Sequence, residues 1–434
     1  MEEIQNPDLT NAYEQWKNQY FINKKYQDYY SGNHPMIFTA ERLYEVFGRT
    51  TVSFVENWCA VVVDAVLDRL GFKGWDGNDL DVSKELFKLY IDNKVKTLSR
   101  KVHRDCIVTG NGYIMFDRIN GVNKPFYNDP NNLVVVYSTE DYYKMAYALK
   151  IWRAKDSVKA NLYYDDHIEK YVSSSDNAVS VKNFSLTDII PNPYGEIPIV
   201  HFRSDIIELG NIIPLQDAIN KTFSDMMVVS EFNAFPQRWI ITNSDISSLK
   251  ASPQTIFKIP KGPTDEEETK IGEFAAARTG MYLETIDRLS GAIAVISRTP
   301  KHYFMQSGAN VSGEALSVME VPLVKKTEQY QEIMDEGWMQ VLKFLYGSTE
   351  NITTVWHKIE VEMMEVSAKT IKTEVEAGIP LNTILRRMGW SDDEIAQMEA
   401  DKEDEEKEET NNPTESIDNS IEEVDDGTTT TNDI

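Results

Sequence analysis

Few residues of this chain are spaced for chemistry, and looking for them mostly narrows the field. Asp165-Asp166-His167 has the residue types of a metal site. Adjacent residues in a turn point in different directions, however, and no second ligand cluster stands elsewhere, so a solvated turn is expected. Asp265-Glu266-Glu267-Glu268 could pair carboxylates but reads most simply as a solvated loop. His201, within Ile199-Val200-His201-Phe202, reads as a satisfied core residue and not as a base. No G-x-x-x-x-G-K-[ST] phosphate loop, no G-x-G-x-x-G after a strand, no H-E-x-x-H and no G-x-S-x-G occurs. Neither catalysis nor a cofactor or metal is therefore expected. What remains is cationic. Lys301 and His302 sit together in Thr299-Pro300-Lys301-His302-Tyr303-Phe304-Met305-Gln306-Ser307-Gly308, and Lys250, Lys258 and Lys261 lie in a short β-like stretch. Such groups suit transient contact with a polyanion or an ordinary surface loop, and the residues alone leave both open.

The 299–308 loop is positioned by a long helical pattern that opens at Ser312-Gly313-Glu314. Leu316, Met319, Leu323, Tyr330, Ile333, Trp338, Val341 and Leu345 recur at the steps of one buried helical stripe. Pro322 removes a backbone donor inside that pattern, which predicts a kink. Before the loop, Pro214 starts a helix to about Ala234, Trp239-Ile240-Ile241 and 255–259 are strand-like, and 275–297 is helical again. An excursion of this size between two helices buries little alone and is expected to pack on copies of itself.

Upstream, the spacing predicts helices over about 8–30, 52–70 and 82–108, the last stopping at Gly110-Asn111-Gly112. The period then changes. Residues 113–116, 133–137, 145–152, 161–164, 168–172 and 199–202 read as one mostly antiparallel sheet, with Pro191 to Pro198 as a stiff turn. Residues 1–205 are thus expected to form one α+β domain. Beyond Gly347 come a short strand over 354–361 and small helices near 367–377 and 381–388, with Gly378 and Gly389 at left-handed caps. Ser391-Asp392-Asp393-Glu394 has capping-box spacing.

Of the 434 residues, 41% are hydrophobic and 26% charged, an ordinary globular composition with room for two or three domains. The formal charge of −26 is uneven: residues 401–434 hold 14 acidic and 2 basic side chains and are expected to be disordered. So acidic a chain is a poor candidate for tight, sequence-independent DNA binding, which rests on many Lys and Arg contacts to phosphate. Cys59 and Cys106, far apart in apolar contexts, read as buried free thiols of a reducing compartment. No signal peptide and no membrane span are expected.

Taken in order, several stretches resemble the portal proteins of tailed double-stranded-DNA bacteriophages, in particular those of siphophages of Gram-positive hosts. They are Asn57-Trp58-Cys59-Ala60-Val61-Val62-Val63 before Gly71-Phe72, and the Pro-Tyr-Gly-x-Ile-Pro-x-Val-x-Phe pattern within Pro191 to Phe202. Asp217-Ala218-Ile219-Asn220-Lys221 through Arg238, Ser307-Gly308 to Leu316, and the helices around Gly378 to Glu394 complete the set. The resemblance covers roughly residues 10–400. It implies an α+β, portal-type subunit: a wing (1–210, with the 314–347 spine helix), stem helices and a small β-containing clip (211–298, clip about 236–274), a tunnel loop (299–313), a helical crown (348–400) and an acidic tail (401–434). It also implies a non-enzymatic ring of twelve at the capsid vertex, assembled in the host cytoplasm, through which double-stranded DNA is packaged and ejected. Terminase large subunit, head-completion or adaptor protein, scaffold and major capsid protein are the implied partners, with no membrane. Lys301, His302 and Gln306 would face DNA, and Lys250, Lys258 and Lys261 would serve the clip. The alternative is a capsid-associated structural or adaptor protein without a DNA channel. A hydrolase with a dispersed active site is a remote third.

Overall fold

The computed structural model describes residues 6–35, 55–77, 79–173, 180–234, 238–241, 270–273, 278–304, 313–359, 371–387, 395, 397–399 and 402. Its contacts divide it into one unit over Met1–Val361 and a second over Glu362–Ile434.

The first unit begins with α1 (Pro7–Tyr30), whose start is set by Pro7 and by the Asn6 side chain accepting from the Asp8 amide at 2.9 Å. Next come α2 (Trp58–Leu67) and the strand β1 (Phe72–Gly77). The expected single helix over 82–108 is two, α3 (Leu80–Asp92) and α4 (Val95–Thr109). Lys94 takes a left-handed φ of 52° between them, a local turn that the apolar spacing does not betray.

The expected single sheet is also two, every pairing antiparallel. One has the order β3-β2-β9 and the other β4-β5-β6-β7-β8. In chain order the strands are β2 (Asn111–Ile119), β3 (Val122–Asn128), β4 (Leu133–Tyr137), β5 (Met145–Arg153), β6 (Val158–Tyr163), β7 (His167–Ser173), β8 (Phe184–Pro191) and β9 (Ile199–Arg203). The sequence reading lacked β1, β3 and β8, and also a later strand at Lys270–Glu273. β3 contains Pro125, and β8 ends on Pro191 with most of its side chains exposed, so both are edge strands that carry little apolar alternation. The β2–β3 hairpin turns through Asn120 and Gly121, both at positive φ, as a two-residue mirror-image turn requires.

The five-stranded sheet is covered on both faces. Val134, Leu149 and Ile151 pack with Leu9 and Tyr13 of α1, while Leu133, Val135 and Ala148 pack with Tyr113 and Ile199 of the three-stranded sheet. β8 is its outer edge, and Thr187 is an extra residue there between the Asp188–Lys170 and Leu186–Tyr171 pairs. Its hydroxyl donates to the Lys170 carbonyl at 2.9 Å. Such a bulge blunts an edge against unwanted strand addition.

The largest core brings α2, β1, α4, β2 and β9 onto a 34-residue helix, α7 (Gly313–Tyr346), in which Pro322 lies. Residues 1–205 are therefore not closed on their own; Leu323, Tyr330, Trp338 and Val341, all fully buried, complete them. The Trp338 ring stacks on Phe72 with centroids 4.4 Å apart, and its Nε1 donates to His103 Nε2 at 2.8 Å. Burial pushes the His103 imidazole down to about 3, so it stays neutral and can accept. Close by, a methyl on Gly337 would come within 2.5 Å of the Phe202 ring. Past α7, β12 (Ile352–Trp356) returns to pair with β1.

Two further helices precede α7: α5 (Ile213–Ala234) and α6 (Gly280–Ser297). Between them β10 (Arg238–Ile241) pairs with β11 (Lys270–Glu273). The strand-like run at 255–259 lies outside the described residues, as do 242–269 as a whole.

In the second unit a helix at 371–376 ends on Gly378 at φ 86°. There the Gly378 and Ile379 amides donate back to Val375 and Glu374, which is the left-handed cap read from the sequence. Leu381–Arg387 forms the next helix. Gly389, the 391–394 capping box and the 403–434 tail lie outside the described residues.

Candidate functional site

The residues singled out at 299–308 start where α6 stops. Arg298 ends that helix in a left-handed turn (φ 53°), and the Thr299 amide reaches back to the Ala294 carbonyl at 3.0 Å. Residues Lys301–Tyr303 then form a short 3-10 turn. The turn is anchored by Phe304, which is buried with its ring 5.4 Å from that of Trp58.

Lys301 and His302 have different surroundings. Lys301 is more than half exposed, with its ammonium 3.5 Å from the exposed Asp287 of α6; an ion pair so solvated adds little stability. His302 faces inward, its Nε2 3.1 Å from Glu320 Oε1 on α7. The other oxygen of Glu320 accepts from Arg69 Nη2 at 2.8 Å, and the same nitrogen donates to Tyr303 Oη at 2.6 Å. Both Arg69 and Glu320 are largely shielded. Gln306 lies outside the described residues, and so do Lys250, Lys258 and Lys261.

A second polar cluster joins the end of α6 to the spine helix. Lys326 is almost fully buried; its Nζ is 3.1 Å from Glu208 Oε2 and donates to the Ser297 carbonyl at 2.6 Å. The carbonyls of a last helical turn carry partial negative charge, which favours a cation there. Burial lowers the Lys326 ammonium, and Glu208 opposes that shift. Tyr330 donates to the other Glu208 oxygen at 3.2 Å, and burial holds its hydroxyl far above the usual phenol range. Sequence reasoning missed Arg69, Glu208, Glu320 and Lys326. Arg69 and Glu320 stand 251 positions apart, and no local spacing marks either as a partner.

Of the groups weighed earlier, Asp265 to Glu268 lie outside the described residues, and the described ones hold no reactive arrangement. His201 bonds Tyr137 through Nδ1 and Asn111 through Nε2, each at 2.9 Å, and burial lowers it to about 3. Asp166 and His167 bond one another at 2.6 Å in the turn before β7. Among the described residues, no group of three or more His, Cys, Asp or Glu could hold a metal ion, and no helix is long and apolar enough to cross a membrane. Cys59 and Cys106 are buried free thiols, raised to about 12 in the case of Cys59 by burial.

Exposed apolar side chains flank the turn and continue along α6. Val295 and Ile296 at the end of α6 are exposed, as are Met281 and Leu283 at its start and Val318, Met319 and Val321 at the start of α7. A pair of half-exposed helices, a small β connection and a helix running from this surface into the main core make up this region. The model of the family described as "Phage portal protein, SPP1 Gp6-like" matches residues 13–409. This chain belongs to that portal family.

Two portal proteins, of Mycobacterium phages D29 and L5, are 25% and 24% identical to it over 171 and 172 residues. Each match takes in 36% of this chain and 35% of the relative, so the chain spans about a third of the length of those portal proteins. A solved chain from the neck of an empty GTA particle, computed with C6 symmetry, aligns with a TM-score of 0.50 at 12% identity. It covers 81% of this portal family member and 93% of the neck chain, a likeness of fold alone.

Proposed function

We propose that copies of this chain form a ring of twelve at one capsid vertex, an open channel through which double-stranded DNA is packaged and later ejected. The family match across residues 13–409 carries the reading. In it the subunit does no chemistry: it is a wall and a dock. In this reading the parts are a wing (1–210, with the spine helix at 314–347), a stem and clip (211–298), a tunnel loop (299–313) and a helical crown (348–400). Terminase and then a head-completion or adaptor protein dock on the clip, where Lys250, Lys258 and Lys261 lie, and scaffold and major capsid protein meet the ring as it assembles in the host cytoplasm.

The charge of the molecule supports this. A wall past which DNA slides must not hold phosphates tightly, since each phosphate neutralised adds salt-dependent affinity. A net charge of −26 repels the duplex, and a few loop cations keep it centred. Lys301, His302 and Gln306 are assigned to the DNA-facing loop. Of the first two, Lys301 is the cation left to solvent, while His302 is turned towards Glu320. Negative-stain images of the purified protein should show rings with a central hole, and solitary compact subunits would overturn the reading. With the ring intact, Lys301→Glu should shorten the packaged DNA and slow packaging. Unchanged length and rate would remove Lys301 from the role.

A further inference from the structure

Arg69 follows α2 and is remote in sequence from the 299–313 segment, yet its guanidinium touches both flanks of residues 305–312. On the near side Nη2 donates to Tyr303 Oη at 2.6 Å, with the guanidinium carbon 5.6 Å from the Tyr303 ring centre. On the far side the same nitrogen donates to Glu320 Oε2 at 2.8 Å, and Glu320 returns its other oxygen to His302 Nε2 at 3.1 Å. Nη1 is fixed in turn to the Ala65 carbonyl at 3.2 Å, in the last turns of α2. Four side chains from three segments thus close one shielded circuit: Arg69, Tyr303, His302 and Glu320. Phe304 against Trp58 pins the same turn to the first residue of α2.

The chemistry requires arginine here. A planar guanidinium presents several donors in a fixed fork, and it can hold a phenol oxygen, a carboxylate and a backbone carbonyl together. A lysine ammonium in this place is a point charge on a flexible stem and would keep one or two of those contacts. Glu320 precedes Pro322, where the spine helix lacks a backbone donor. The circuit therefore stiffens α7 on the side of its weakest backbone position that leads to the loop.

We infer that Arg69 is the positioning residue of the loop's two roots: it locks the 301–304 turn and the first turns of the spine helix to α2, so that the three move as one piece. The inference rests on the portal reading for its purpose, because a fixed root sets where a loop projects. It does not rest on that reading for its geometry.

Hydrogen–deuterium exchange on the purified full-length protein tests it. Arg69→Ala should raise exchange at 299–304 and 315–321 by about tenfold, the scale of losing a charge-assisted hydrogen bond between shielded groups. Exchange across β5 should stay unchanged. Arg69→Lys should fall between the wild type and Arg69→Ala. Glu320→Gln, which keeps side-chain volume but removes the charge and one of the two acceptor oxygens, should loosen the same two segments and serves if Arg69→Ala does not fold. Unchanged exchange at 299–304 and 315–321 would overturn the inference, and so would a rise shared equally by β5, which marks a general packing role. In rings that form, the variant should also package less DNA; full packaging despite local loosening would overturn the positioning role. Failure of the wild-type protein to form holed rings would sink the portal reading instead, leaving the exchange pattern to judge the clamp.

Discussion

The two halves of the spine helix face different company. From Leu323 onward its inward stripe is fully buried, with Tyr330, Met334, Trp338 and Val341 at zero exposure in the subunit's own core. Before Leu323, Val318, Met319 and Val321 stand in solvent, as do Val295 and Ile296 of α6. Both halves carry large apolar side chains, so composition does not separate them. What separates them is that the apolar stripe of one part packs in the subunit's own core, while Val318, Met319 and Val321 of the other stand in solvent. Exposed apolar side chains gathered around one turn mark a surface suited to association. The lower half stabilises the fold, and in the proposed ring the upper half is covered by a neighbouring copy.

Substitutions can break that comparison, and the largest effect should come from the buried half. Trp338→Ala removes a fully buried ring that stacks on Phe72 and bonds His103. It should cost about 3–5 kcal/mol of subunit stability in denaturant melts. A loss near zero would mean that α7 does not close the core. At the junction, Lys326→Met leaves Glu208 buried without its cation and should cost about 3 kcal/mol, because an unpaired buried charge is dear. Adding Glu208→Gln should recover part of that loss; no recovery would show that Lys326 acts through packing alone. On the exposed face, Val295→Lys should change subunit stability by no more than about 0.5 kcal/mol. The same variant should lose ring assembly by size-exclusion chromatography. Assembly at wild-type protein concentration would place the copy-to-copy contact elsewhere.

The legible parts of the sequence are those fixed by local pattern. The α5 start beside Pro214, the return of α6 to Ser297 and the spine stripe through Trp338 follow from apolar spacing and proline chemistry. Met319 belongs to that stripe and is nonetheless exposed, since periodicity tells which face is apolar but not who covers it. The break at Lys94 went unread because the apolar rhythm of α3 continues into α4 across a single left-handed residue. β1 went unread because Phe72–Gly77 is short, holds two glycines and, among the described residues, pairs only with the distant strand at residues 352–356. Of the site, Lys301 and His302 were found as cationic or titratable groups on a loop. The inward turn of His302 was not, because Glu320 and Arg69 reach it only through tertiary packing. The family likeness, by contrast, lies in ordered short stretches, and the family model matches residues 13–409.

The pairing of β1 with β12 has a consequence for how the molecule is made. Among the described residues, the strand that Phe72 to Gly77 bonds is residues 352–356, which leave the ribosome far later. Trp75 lies against Trp338, so the same wait applies to its packing. A nascent chain must therefore carry its early helices with one seam open through most of synthesis, and contacts of such long sequence separation form slowly. Closure of that seam is a late event, timed by translation, and comes after the two antiparallel sheets have had all their strands in hand.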